Sequence, residues 1–119
     1  MPLTTSYRRG DVVLVPFPFT DLTGSKQRPA LVVSSDAFNA SHDDVLLVAI
    51  TSRVPATLSS NEVVISSTDL GPSGLLKPSV VKTAKLITIH QALIRKSIGK
   101  MPPPALKQVL EVIREQFEP

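Results

Sequence analysis

Arg28 stands where a polar loop meets an apolar run, directly before Pro29 and residues 30–33, and is the best candidate in the chain for handling a phosphate. A guanidinium at the mouth of a rigid sheet can grip a phosphate through paired planar donors and stabilise the charged phosphorane formed when it is attacked. The same position suits a solvated arginine beside a turn, because charged side chains are mostly exposed. Thr51 and Ser52 close the strongest apolar run, residues 45–50, where hydroxyls at a strand end can be presented to a site, and Arg53 follows at once. Ordinary strand-edge packing is the competing role for Thr51, since threonine is a common strand residue.

Other chemistries lack a signature. His42 and His90 lie far apart without carboxylates at ligand spacing, so neither a metal nor a cofactor is expected, and each histidine reads as a surface or loop residue. There is no nucleophile elbow, phosphate-binding glycine loop or dinucleotide fingerprint. What remains is phosphoryl chemistry without a metal. RNA permits it, because its own 2′-OH can attack the adjacent phosphate once the proton is removed and the leaving 5′-oxygen is protonated.

With 119 residues the chain has the length of one compact domain, taken here as residues 1–119, and 42% hydrophobic residues supply a core. Aromatic residues make up 4% with no Trp, too few rings for a stacking platform on bases. The absence of cysteine excludes disulfides and thiolate metal sites, and no run reaches signal-peptide or membrane-spanning length. A cytoplasmic protein without membrane contact is expected. The net charge is +3, but its distribution is uneven: Lys77, Lys82, Lys85, Arg95, Lys96, Lys100 and Lys107 all fall between Asp69 and Glu111, an interval without an acid. Such asymmetry favours an anionic partner and equally describes a solvated basic face.

The elements that must position these residues are mostly short strands. The run at residues 12–15, dominated by β-branched residues, ends at Pro16 and Pro18, so the first strand stops there or lies at an edge. Residues 20–27 form a loop and 30–33 a second strand. A capped helical turn is expected over 37–40, and the continuous run 45–50 suits a strand buried on both faces. Residues 54–60 read as a loop, 62–66 as a strand, 69–74 as a turn cluster, and 78–81 and 86–89 as further extended segments. A short helix over 91–96 is the reading for the next segment. After Pro102, Pro103 and Pro104 the period changes: Leu106, Val109, Leu110, Ile113 and Phe117 recur at three and four residues, an amphipathic helix. The class is α+β, a small β-barrel closed by the C-terminal helix.

The run Arg9-Gly10-Asp11-Val12-Val13, the loop at Gly24-Ser25, the segment Arg28-Pro29-Ala30-Leu31-Val32-Val33 and the strand end Ala49-Ile50-Thr51-Ser52 together resemble the PemK/MazF family of bacterial toxins. The resemblance runs from Tyr7 through the C-terminal helix. It implies an SH3-like barrel, a homodimer, and an endoribonuclease that cuts single-stranded RNA to 2′,3′-cyclic phosphate and 5′-OH ends and is held inactive by a cognate acidic antitoxin. Matching residue by residue, it implies Arg28 and Thr51 as the catalytic pair at the scissile phosphate. Asp21, Lys26, Ser52, Arg53, Lys82 and Lys85 are the candidate substrate-binding residues.

One departure stands out. Some relatives carry an acid followed by Gln on a late strand, where this chain has Ala84 and Lys85, while Lys82 retains the basic residue two positions earlier. Either Asp21 supplies the base, or the ribose hydroxyl is activated through phosphate positioning. Two further functions compete: a non-enzymatic toxin of the same fold acting on a protein such as DNA gyrase, and an RNA-binding module without catalysis.

Overall fold

The computed structural model describes residues 6–16 and 27–119. Among them it holds six strands, three helices and a single 3-10 turn: β1 (Asp11–Pro16), β2 (Gln27–Val32), α1 (Asp36–Ser41), β3 (Asp44–Thr51), β4 (Glu62–Val64), α2 (Ser67–Ser73), β5 (Val80–His90), the turn at Gln91–Leu93, β6 (Lys96–Lys100) and α3 (Pro103–Glu115). All strand pairings are antiparallel, in the order β4-β5-β3-β2-β1-β6.

The sheet is not the closed barrel that the sequence suggests. Among the described residues β4 and β6 end the hydrogen-bonded order without pairing to each other, so the sheet stays open. The C-terminal helix is present and packs Leu106, Leu110 and Ile113 around a cluster that contains Val12, Leu31, Val48, Ile50, Val81 and its own Val109. Pro103 opens α3, where a missing N–H costs nothing. Phe117, expected on the apolar stripe, instead follows the end of α3 and is 73% exposed.

Side chains alternate across β3, as the pleat requires. Val48 and Ile50 face the helix-covered cluster, whereas Val45, Leu47 and Ala49 join a second one with Val13, Val15, Ala30 and Val32. The run at 45–50 is therefore buried on both faces as expected. β1 lies inside the sheet between β2 and β6 and ends at Pro16, so this proline marks its end rather than an edge strand; Pro18 lies outside the described residues.

Three local readings change. The cluster at 69–74 is helical: α2 spans Ser67–Ser73 with Pro72 inside, and Gly74 closes it at φ 73. Burial of Leu75 and packing of Leu70 on the core fix this turn against its weak helix propensity. The segment at 91–96 is only a 3-10 turn followed by β6, whose sequence Lys-Ser-Ile-Gly-Lys has no apolar alternation. β6 forms because Gly99 lets the end of α2 lie directly on it; a Cβ there would overlap the Ser73 carbonyl carbon. The segments at 78–81 and 86–89 run into one strand, β5, which contains a bulge.

Candidate functional site

Arg28 is the second residue of β2 and faces Val15 on β1, so it belongs to the sheet rather than to the loop before it. A strand backbone fixes its Cα, and the residue is half-buried. Thr51 is the last residue of β3. Its hydroxyl oxygen accepts the backbone N–H of Arg53 at 3.1 Å, which leaves the hydroxyl proton to be donated to a ligand at the strand end.

The third wall comes from β5. Val48 faces Leu86 and Ala49 faces Lys82, so Thr83, Ala84 and Lys85 are inserted between those pairs as a bulge. Bulges re-aim side chains at sheet positions beside functional sites. This one is pinned: the Asn61 carbonyl accepts both the backbone N–H of Thr83 at 3.1 Å and its hydroxyl at 2.7 Å, while the Thr83 carbonyl accepts from the Gln116 side chain at 3.1 Å. Thr83 is fully buried, and its neighbours Ala84 and Lys85 are exposed.

These elements line an open cavity of about 330 Å³, whose described lining is Arg28, Ala49, Ile50, Thr51, Arg53, Lys82 and Lys85. Among its described lining residues there is no carboxylate. Four cationic side chains line it, one of them, Lys82, paired with a carboxylate from outside the cavity, and such a concentration of positive charge suits a phosphate-bearing ligand. Arg28 and Thr51 also line a second, more apolar cavity of about 460 Å³, shared with Ser52, Leu75, Leu76, Lys77, Lys96 and Ile98. The two residues thus sit on the ridge between a cationic and an apolar hollow.

Of the residues singled out in the sequence, Arg28, Thr51, Arg53, Lys82 and Lys85 converge on one cavity, and Ser52 lies on the neighbouring one. Asp21 and Lys26 lie outside the described residues. Ala84 sits on the bulge between Lys82 and Lys85, so a basic and not an acidic bulge faces the site. Both histidines are exposed elsewhere: His42 stacks on Phe38 with ring centroids 4.0 Å apart, and His90 accepts the Ala92 N–H at 3.0 Å.

Sequence reasoning missed Glu62. It faces Lys82 across the β4–β5 ladder, and its carboxylate meets the Lys82 ammonium at 2.8 Å. The other carboxylate oxygen accepts from the Ser59 backbone N–H at 2.8 Å and the Ser59 hydroxyl at 3.0 Å. These contacts, led by Lys82, push the Glu62 pKa down to about 2. The apolar residues at 63–65 located the strand, but nothing in the sequence set its register against β5.

A profile of PemK-like, MazF-like toxins of type II toxin-antitoxin systems matches residues 8–117. No significant match was found among curated proteins. Among solved structures the chain is similar to an endoribonuclease from Mycobacterial species, with a TM-score of 0.74 and 19% identity over 95% of this chain and 92% of the other. MazF from Deinococcus radiodurans gives 0.74 and 21% over 95% and 97%. An endoribonuclease in complex with its cognate antitoxin, also from Mycobacterial species, gives 0.72 and 19% over 92% of each chain. At these identities the likeness is one of fold.

Proposed function

Since the chain belongs to the family of PemK-like, MazF-like toxins of type II toxin-antitoxin systems, we propose that it is a metal-independent endoribonuclease that cuts single-stranded RNA to 2′,3′-cyclic phosphate and 5′-OH ends. The observation that carries this reading is the convergence of Arg28 and Thr51, from the facing ends of β2 and β3, on a cavity whose remaining charged lining is Arg53, Lys82 and Lys85. A non-enzymatic action on a protein target has no comparable observation in its favour.

In this mechanism the scissile phosphate sits against Arg28, and the Thr51 hydroxyl donates to one of its non-bridging oxygens. The RNA 2′-oxygen bonds to phosphorus as the bond to the 5′-oxygen breaks. One proton leaves the 2′-OH and one is gained by the departing 5′-oxygen, so no net proton is consumed. The planar Arg28 fork stabilises the phosphorane where charge accumulates, and Lys82, Lys85 and Arg53 bind flanking phosphates. Activation of the 2′-OH comes from alignment of the phosphate rather than from a carboxylate base. The protein acts as a homodimer, and an acidic segment of a cognate antitoxin neutralises it by occupying the cationic cavity, with binding that weakens as salt is added.

The test is incubation of the purified protein with a long single-stranded RNA, with and without EDTA, followed by mapping of the ends. Cyclic phosphate and 5′-OH ends in both samples are expected. Uncut RNA, or cutting abolished by EDTA and restored by Mg²⁺, would overturn the reading.

A further inference from the structure

We propose that Glu62 is a positioning residue of the ribonuclease site, acting through Lys82; the proposal rests on the ribonuclease reading above. Lysine is a flexible four-carbon stem with a strongly hydrated head, so an unrestrained Lys82 would deliver its charge to many places. Here the ammonium is tied at 2.8 Å to a carboxylate whose side chain is 7% exposed, while the Lys82 side chain itself is 33% exposed and reaches the cavity wall. An ammonium has three donors, and the Glu62 bond uses one of them, which leaves others to meet a phosphate.

The carboxylate is itself held. The Ser59 backbone N–H donates to the oxygen that Lys82 does not use, and the Ser59 hydroxyl shares its one proton between that oxygen and the Asn61 side-chain oxygen. Asn61 in turn fixes the bulge through Thr83. One short turn, residues 59–62, therefore sets both the direction of Lys82 and the path of the chain that carries Lys85. Glu62 does not line the cavity, so its effect on RNA passes through Lys82.

A double-mutant cycle on cleavage of one single-stranded RNA tests this, using Glu62→Gln, Lys82→Ala and the double variant. Glu62→Gln is expected to lower kcat/KM at least about tenfold, within the roughly 10²-fold that misplacing a group by about 1 Å can cost. In the Lys82→Ala background the same change is expected to cost nothing further, because the residue it positions is gone. Wild-type cleavage by Glu62→Gln, or an equal loss repeated in the Lys82→Ala background, would overturn the proposal, the second result marking a general structural role. Should Glu62→Gln fail to fold by circular dichroism, Glu62→Asp, which keeps the charge but shortens the reach, carries the same cycle and the same criteria. Failure of the unmodified protein to cut RNA would overturn the ribonuclease reading and this proposal together. Cutting by the unmodified protein with additive losses would remove the positioning role alone.

Discussion

The hydroxyl oxygen of Thr51 accepts the backbone N–H of Arg53 at 3.1 Å. This bond caps the end of β3 and limits which way the hydroxyl proton can point, so Thr51 is at once a strand terminator and an oriented donor on the ridge between two cavities. Arg53 itself lines the first of these cavities.

Thr51→Val removes the donor and keeps the strand shape. Single-turnover cleavage is expected to fall about 10²-fold, the lower end of the range for removing one preorganised donor, with an unchanged circular dichroism spectrum. Thr51→Ser keeps the hydroxyl and should retain most of the rate. Equal losses in the two variants would place the effect in packing rather than in hydrogen bonding.

Arg28→Ala is expected to cost about 10²–10³ in rate in a protein that remains folded. Arg28→Lys should recover only part of the loss, because an ammonium cannot present two coplanar donors. Near-normal turnover in folded Arg28→Ala would remove Arg28 from the chemistry.

The pH dependence of stability follows from Glu62. Its folded pKa of about 2 lies below the ordinary 4.5, chiefly because Lys82, and then the Ser59 backbone and hydroxyl, stabilise the charged form. A depressed carboxylate contributes stability that is fully present above the unfolded value and lost as pH falls through the folded one. The stability gap between the unmodified protein and Glu62→Gln, measured by urea denaturation, should therefore be constant well above pH 4.5 and shrink between about pH 4.5 and about pH 2. A gap that persists unchanged at about pH 2 would show that the pair is not the source.

Asn39 is fully buried on α1. Its side chain donates to the Tyr7 carbonyl at 2.9 Å and the Ser34 carbonyl at 3.3 Å and accepts from the Ser34 hydroxyl, while its backbone carbonyl accepts from Gln91 at 2.8 Å. Asn39→Ala leaves the buried Ser34 groups and the part-buried Tyr7 carbonyl without this partner and should lower unfolding stability by about 2–3 kcal/mol. Urea denaturation measures it, and a loss within about 0.5 kcal/mol, the usual scatter for surface changes, would show that water replaces the side chain.

How much of this is legible in the sequence depends on whether the signal is local. The apolar run 45–50, the β-branched residues of β1 and the three-and-four spacing of α3 each reflect burial of a whole face, and their types and approximate positions are readable from residues alone. Arg28 and Thr51 are readable as candidates because each stands at a boundary that such runs create. α2 and β6 are not readable, since Leu70 and Leu75 hold one in place and the bare backbone of Gly99 against Ser73 admits the other. The site itself belongs to the tertiary structure. Arg28, Arg53, Lys82 and Lys85 meet only because β2, β3 and β5 are neighbours, and because the β5 bulge turns both lysines to one cavity. Glu62 opposite Lys82 is a matter of register: a slip by one residue would send its side chain to the other face, and no local pattern in the sequence encodes that choice.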